Sequence, residues 1–310
     1  MTNLLMMKIK PHTVLALFFL MFLGTVKAQQ DIQFTQYMYN TVLVNPAYAG
    51  SWDDLSISGT YRSQWIGLDG APRTLSFSAH GPVRNRLSLG ISVLRDEIGP
   101  SIESSYVMDM SYTLYLNKVR LAFGLKAGLA NLDIDFGRLN TYDPTDVELS
   151  QNINQISPQI GAGAYLYSQR WYLGISSPNV LETDHYDQVA VSTAMERLHF
   201  YAITGYVFDL NDHIKIKPAA LLKMVSGAPL SLDLSTNVMI EEKLILGASY
   251  RWNASVSALA GFQLTDDLML GYAYDFDTTE ISRYNSGSHE IFLRFVVRNR
   301  KSGKVSPRFF

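Results

Sequence analysis

Strict alternation of apolar residues with polar or small ones runs through most of the chain and limits what it can fold into. In VRLAFGLKAGL (119–129), every odd position is apolar, whereas the even positions hold Arg120, Lys126, alanine and glycine. The same period of two occurs in RLSLGISVL, PLSLDLSTNV, LMLGYAYDF and HEIFLRFVV. This period is typical of β-strands that have one apolar face and one polar face. The sequence therefore predicts an all-β protein.

We predict about 14 strands from this alternation. Their expected positions are 55–65, 73–80, 86–95, 103–116, 119–134, 156–167, 170–177, 196–210, 213–225, 228–240, 243–252, 254–265, 268–277 and 288–298. Short connections, such as 117–118, alternate with long ones, such as 135–155 and 278–287. Outer-membrane barrels have an even number of antiparallel strands, short periplasmic turns and longer extracellular loops. We therefore predict an antiparallel transmembrane outer-membrane β-barrel formed by residues 55–298.

The composition favours this barrel over a soluble β-sandwich or propeller, which are the alternatives. Charged residues make up 17% of the chain, below the roughly 25% of an ordinary soluble domain. The residues predicted to point outward are almost all Leu, Ile, Val, Ala, Phe and Tyr, which suits contact with outer-membrane lipid. No repeat of about 40–50 residues, the length of a propeller blade, is present.

The first 28 residues have the features of a secretory signal peptide. Lys8 and Lys10 precede an apolar run of 11 residues, VLALFFLMFLG, which is too short to span a bilayer as a helix. The sequence from Val26 to Ala28 then fits a small-x-small cleavage site. We predict cleavage after Ala28, with a short N-terminal anchor as the alternative. An even number of strands is expected to leave both termini in the periplasm.

Residues 29–54 precede the alternating strands and share none of their regularity. Asn45 and Pro46 interrupt this aromatic stretch, and proline cannot donate a hydrogen bond within a central strand. Contiguous aromatic residues need burial or a partner surface. We predict that residues 29–54 either plug the barrel or dock onto a periplasmic protein. The candidate residues are Phe34, Gln36, Tyr37, Tyr39, Asn40, Asn45, Pro46 and Tyr48.

Charged residues recur on the face predicted to point into the lumen. They are Arg62, Asp109, Arg120, Lys126, Lys215, Lys217, Asp233, Arg251, Asp275, Glu290 and Arg294. Charges inside a barrel are tolerated in water or in pairs, so both a water-filled pore and a filled lumen remain open. Many glycines on the same face make room inside, and we favour a lumen partly filled by the N-terminal segment.

A basic tail, residues 299–310, follows the last predicted strand and is expected in the periplasm, either solvated or docked to a partner. The formal net charge of −2 gives no reason to expect nucleic-acid binding.

No enzymatic, cofactor or metal site is predicted. The chain has no cysteine, and it has no G-x-S-x-G or H-E-x-x-H motif. The acidic stretches 141–148 and 182–187, the second with His185, fall in predicted outer loops. The first lacks the spacing of a calcium-binding loop. We interpret both as solvated loops, and we expect no small-molecule substrate.

The segment QQDIQFTQYMYN…NPAYAGS, residues 29–51, resembles the start of the PorP/SprF family of type IX secretion system outer-membrane proteins. YRSQW (61–65) and GSHEIFLRF (287–295) are also similar to blocks of that family. The resemblance covers essentially the whole mature chain.

This resemblance implies a non-enzymatic role in secretion or surface anchoring of a large adhesin, which in some bacteria supports gliding motility. The implied partners are the C-terminal sorting domain of the cargo and components of the secretion machine, including periplasmic lipoproteins. The alternatives are an outer-membrane porin or small-solute transporter and, third, a barrel enzyme.

Overall fold

A single closed antiparallel β-barrel dominates the computed structural model, which describes residues 32–138, 152–181, 183–184, 195–196, 198–225 and 228–298. Within these residues, fourteen strands form its wall. They are β1 (Leu55–Ser63), β2 (Arg73–Arg84), β3 (Leu87–Ile98), β4 (Ser101–Leu116), β5 (Val119–Ile134), β6 (Ile153–Tyr167), β7 (Trp171–Ser177), β8 (His199–Tyr206), β9 (Ile214–Val225), β10 (Ser231–Ile240), β11 (Leu244–Arg251), β12 (Ser255–Gln263), β13 (Leu268–Asp277) and β14 (Ser288–Val297). The predicted fold class is confirmed.

Each strand pairs with its sequence neighbours, and β14 pairs with β1 to close the barrel. At this seam Arg62 lies opposite Glu290. The two-residue strand Phe208–Asp209 also pairs with β9, and Thr183–Asp184 pairs with Met195–Glu196 outside the wall. Closure satisfies the backbone hydrogen bonds that an open edge would leave exposed to lipid.

The two faces of the wall differ as the alternation predicts. In β5, Phe123 and Leu125 point outward and are 51% and 56% exposed, whereas Gly124 and Lys126 are buried. The outward face of the other strands is also apolar, with exposed Leu75, Phe77, Ile91, Met108, Leu173, Ile175, Leu246, Leu270, Ile291 and Leu293 among its members. The pleat therefore gives the barrel a lipid-compatible outside and a polar inside.

The two ends of the barrel carry different connections. We call one the short-turn end, because turns such as 85–86, 117–118 and 241–243 lie there. The other is the long-loop end, with connections 64–72, 178–198 and 278–287. Two connections at the long-loop end are nevertheless short, and Gly99, with a φ of 55°, makes one of them possible because glycine tolerates this left-handed conformation.

Helical structure in the described residues is limited to short 3₁₀ turns. Three of them, Tyr37–Tyr39, Thr41–Leu43 and Pro46–Tyr48, precede β1, and Phe136–Arg138 and Glu280–Arg283 lie in connections at the long-loop end. No helix among the described residues is long and apolar enough to cross a membrane.

Candidate functional site

The lumen contains the chain's own residues 32–54, which we call the luminal segment. Ile32 lies at the long-loop end, where it lines a cavity beside Trp65. Further along, the backbone N–H of Gly50 donates to Nδ1 of His80 at 3.1 Å, and Asp53 binds a rim arginine at the short-turn end. The segment therefore runs through the length of the barrel before it enters β1.

The two ends of the described chain lie at different rims of the barrel. The even strand number does place the start of β1 and the end of β14 at the same end, because Leu55 pairs with Val297. However, the luminal segment returns through the lumen, so Ile32 lies at the opposite, long-loop end. Ile32 and the end of β14 therefore lie at opposite ends of the barrel.

A buried charge network holds the upper part of the luminal segment. The backbone N–H groups of Thr35 and Gln36 each donate to Glu290, at 2.8 Å. Arg62 binds Glu290 at 3.1 Å and Asp275 at 2.6 Å, and the Thr35 hydroxyl also donates to Asp275, at 2.8 Å. Arg62 and Glu290 are 2% and 0% exposed. The segment thus supplies hydrogen bonds that these buried carboxylates require.

Aromatic contacts hold the next part of the segment. The ring of Tyr39 lies 4.8 Å from Nζ of Lys217 and 5.8 Å from the guanidinium of Arg294. The same ring stacks on Phe292, with 5.7 Å between the ring centroids. The Tyr37 hydroxyl, on the other side, forms a hydrogen bond with a serine of β10 at 3.2 Å. Cation–π contacts of this kind are strongest where water is excluded.

Lys126 connects the middle of the segment to the wall. Its Nζ atom lies 3.1 Å from a carboxylate oxygen of Asp109 and donates to the backbone oxygen of Val42 at 3.4 Å. Nearby, the hydroxyl of Ser111 donates to the backbone oxygen of Ala47 at 3.2 Å. Two inward residues, Ser111 of β4 and Lys126 of β5, therefore contact the segment directly.

Asn45 explains the Asn-Pro interruption seen in the sequence. Its Nδ2 atom donates to the backbone oxygen of Ala164 at 3.1 Å, and its Oδ1 atom accepts from the backbone N–H of Ala47 at 3.0 Å. The second bond caps the 3₁₀ turn that Pro46 begins, a position where the missing N–H of proline costs nothing. A Cβ atom on Gly163 would lie only 2.3 Å from Oδ1 of Asn45. Small residues on the wall thus make room for this turn.

The lower part of the segment ends in a second set of contacts. Nε1 of Trp52 donates to the hydroxyl of Tyr48 at 2.8 Å, and the guanidinium of Arg294 stacks 4.1 Å above the Trp52 ring. At the rim, Arg120 binds Asp53 at 2.5 Å. The segment is therefore held at both ends and in the middle.

The central side chains of the luminal segment and of the wall around it are not accessible to water. Val42 and Asn45 of the segment and Lys217 and Glu290 of the wall are all 0% exposed. A side chain that lined a water-filled pore would keep a water-accessible surface. The described residues therefore form a packed interior and not an aqueous channel at this level.

The remaining predicted residues lie close to this interior. Arg251 binds Asp233 at 2.6 Å, and Lys215 binds Glu242 at 2.7 Å near the short-turn rim. Phe34 is partly buried. Of the predicted set, the structure brings together Gln36, Arg62, Asp275 and Glu290, then Tyr39, Lys217 and Arg294, then Asp109 and Lys126.

Sequence reasoning missed several residues of the same interior, among them Thr35, Trp52, His80 and Asp96. The alternation places His80 and Asp96 on the inward face, so parity alone could have identified them. Thr35 and Trp52 lie outside any periodic stretch and carried no such signal.

The described residues form a cavity at the long-loop end and contain no cluster that could hold a metal ion. Among the described residues, no group of three or more His, Asp or Glu side chains could hold a metal ion. The acidic stretches 141–148 and 182–187 and the basic tail 299–310 lie outside the residues for which side chains are described. A cavity of about 300 Å³ opens at the long-loop end, next to Ile32 and Gln33, and we call it the mouth cavity.

Comparison with solved structures returns outer-membrane proteins at low similarity. Omp33 of Acinetobacter baumannii has a TM-score of 0.48 and 10% identity, over 79% of this chain and 98% of that one. A FadL homologue of Pseudomonas aeruginosa has a TM-score of 0.45 and 12% identity, over 81% and 91%. The CymD monoaromatic hydrocarbon channel has a TM-score of 0.48 and 11% identity, over 86% and 94%. No curated protein matches the chain.

Comparison with protein families gives one match that covers nearly the whole chain. The model for the type IX secretion system membrane protein PorP/SprF matches residues 26–295. The match includes the luminal segment and thirteen complete strands, and it ends within β14. The chain therefore belongs to the PorP/SprF family of type IX secretion system proteins and is an integral outer-membrane β-barrel.

Proposed function

We propose that this barrel is a non-enzymatic, non-conducting component of the type IX secretion system that supports secretion or surface anchoring of a large adhesin-like cargo protein. It binds the C-terminal sorting domain of the cargo at one rim and periplasmic components of the machine, including lipoproteins, at the other. Where the cargo is a motility adhesin, the same role supports gliding.

The observation that carries this proposal is the packed lumen. Central lumen-facing side chains such as Lys217 and Glu290 have no exposed surface, which argues against a solute pore. The same packing argues against passage of the cargo through this barrel. With lipid around the outer wall, the two rims remain as the surfaces available to protein partners.

The short-turn rim has a charge distribution suited to a protein partner. Three consecutive turns, those after β2, β4 and β6, carry the exposed basic residues Arg86, Lys118 and Arg170. The next three turns, after β8, β10 and β12, carry mainly exposed acidic residues, namely Asp209, Asp212, Glu241, Glu242 and Asp266, with one exposed lysine, Lys243. Segregated charge of this kind orients a partner and increases its association rate. We assign this rim to the periplasmic machine.

Conductance measurements test the non-conducting role. The purified full-length mature protein, reconstituted in a planar bilayer, should give no stable open channel. A matched variant, Arg62→Ala, removes the cation that holds the upper network and should show openings if the luminal segment moves. Stable single-channel conductance by the wild-type protein would instead support the porin or transporter alternative.

Deletion and complementation test the secretion role. Loss of the gene should remove one large surface protein from the cell surface while other outer-membrane proteins remain. Complementation by a variant with reversed charges at Arg86 and Lys118 should restore the barrel but not display. Normal display of all cargo with reduced uptake of small solutes would contradict the proposal.

A further inference from the structure

The mouth cavity lies where the described chain begins, and its walls are built from strand ends. It is lined by residues of β1, β3 and β10 to β14, by residues of the connections at the long-loop end, and by Ile32 and Gln33 of the luminal segment. Its volume of about 300 Å³ is sufficient for a few residues of peptide but small for a folded partner.

The charges of this cavity favour a cationic ligand. Its walls carry three aspartates and two arginines, namely Asp96, Asp275, Asp277, Arg62 and Arg251. Both arginines are already bound to carboxylates, since Arg62 contacts Asp275 and Arg251 contacts an aspartate of β10 at 2.6 Å. A positive group in the cavity would therefore meet an excess of negative charge, whereas an anion would be repelled.

Three polar atoms on the walls also define what the ligand must offer. Within the described residues, Nε of Arg62 and Oγ of Ser255 have no hydrogen-bond partner, and neither has Oδ2 of Asp277, although the Asp277 carboxylate interacts with Asn285 and Trp65. Arg62 and Ser255 are 2% and 3% exposed. A buried polar atom without a partner is costly. The arginine requires an acceptor, the aspartate requires a donor, and the serine can use either.

A peptide amino terminus supplies both requirements, because it combines an ammonium group with carbonyl oxygens in the same few atoms. Such a terminus is close by. If the signal peptide is removed after Ala28, the mature chain begins at Gln29, three residues before Ile32. Three extended residues span up to about 10 Å, so the new ammonium group is within reach of the cavity.

We propose that the mouth cavity binds the chain's own amino terminus, residues 29–31, after the signal peptide is removed. The ammonium group of Gln29 binds Asp277, and oxygen atoms of the same residues accept from Arg62 and Ser255. Removal of the signal peptide thereby creates the ligand that completes the long-loop end of the lumen.

The test measures how fast the terminal amine reacts in the folded barrel. Full-length mature protein, purified from outer membranes in detergent, is treated with an amine-acylating reagent, and modification of Gln29 is followed by mass spectrometry. The amine should react about tenfold or more slowly in the folded barrel than in the unfolded chain, as expected for a charged hydrogen bond. Asp277→Asn should abolish this protection, whereas Asp212→Asn, at the exposed short-turn rim, should leave it intact.

A second variant keeps the proposal falsifiable if Asp277→Asn does not fold. Insertion of Gly-Ser before Gln29 moves the ammonium group without changing the wall, and it should remove protection and lower the thermal unfolding midpoint. The proposal is overturned if the terminal amine of the folded wild-type barrel reacts as fast as that of the unfolded chain. It is also overturned if the mature chain begins elsewhere or has a blocked terminal amine. Stabilisation by millimolar Ca²⁺ that Asp277→Asn abolishes would assign the cavity to a metal cation and also overturn it.

Discussion

Replacement of Arg62 by alanine should destabilise the barrel far more than loss of an exposed ion pair. Arg62 contacts Asp275 at 2.6 Å and Glu290 at 3.1 Å, and all three side chains are almost fully buried. Removal of one member of a buried ion pair leaves an uncompensated charge and costs about 3–5 kcal/mol. Here two carboxylates would be left adjacent, so we expect a loss of free energy of unfolding at the upper end of that range.

The matched control is Arg170→Ala. Arg170 binds Asp209 at 2.9 Å, but its side chain is 63% exposed, so the loss should be about 0–1 kcal/mol. Equilibrium unfolding in denaturant, measured on detergent-refolded protein, gives both values. Hydrogen exchange at the backbone amides of Thr35 and Gln36 reports whether the luminal segment has been released, because both amides donate to Glu290.

A double variant separates charge from packing. Arg62→Ala combined with Glu290→Gln removes one of the two remaining carboxylates, so it should recover part of the stability lost in Arg62→Ala. If Arg62→Ala costs no more than Arg170→Ala, the network does not hold the segment and the reasoning is wrong. If Glu290→Gln lowers the free energy of unfolding by the same amount in the Arg62→Ala background as in the wild-type barrel, repulsion between the carboxylates is not the cause of the loss.

Two further substitutions test the packing of the lumen and the lipid-facing wall. Gly124→Ala would place a Cβ atom 2.1 Å from the backbone nitrogen of Ala47, so it should lower the free energy of unfolding in denaturant by about 1–3 kcal/mol. The control is Gly59→Ala, whose Cβ atom would lie 3.8 Å from its nearest neighbour. This variant should be neutral or slightly stabilising. Leu125→Lys, near the middle of β5 on the outward face, should cost about 2–4 kcal/mol when folding into lipid vesicles is measured. Leu116→Lys, at the end of the neighbouring strand β4, should cost about 0–1 kcal/mol. Equal costs would contradict a lipid-facing position for the middle of β5.

The strands were predictable from sequence because their signal is local. Side chains alternate with the pleat, so a stretch such as 119–134 reveals its strand and both of its faces without knowledge of its neighbours. The same parity placed Lys126 and Glu290 inside the lumen, where the structure has them. Element ends differ by a few residues because turns and strands share the same terminal residues.

The path of the luminal segment was not predictable in the same way. Its contacts join residues far apart in sequence, as between Thr35 and Glu290, 255 positions apart. No periodic pattern encodes such a contact, and the segment's short 3₁₀ turns follow neither a strand period nor a helix period. Parity can indicate that a charge points inward, but the partner of Arg62 is fixed only when β1 meets β14 at the seam.

The same seam couples insertion of the luminal segment to closure of the barrel. Arg62 and Glu290 are opposite each other where β1 pairs with β14, and Glu290 also accepts both backbone N–H groups from the segment. A barrel that closed without the segment would lose the two hydrogen bonds that Glu290 accepts from it, and a hydrogen bond to a charged group contributes about 1.5–3 kcal/mol. A segment without the closed seam would lack the carboxylates that bind it. Because each needs the other, the packed lumen is part of what makes the first and last strands a stable pair.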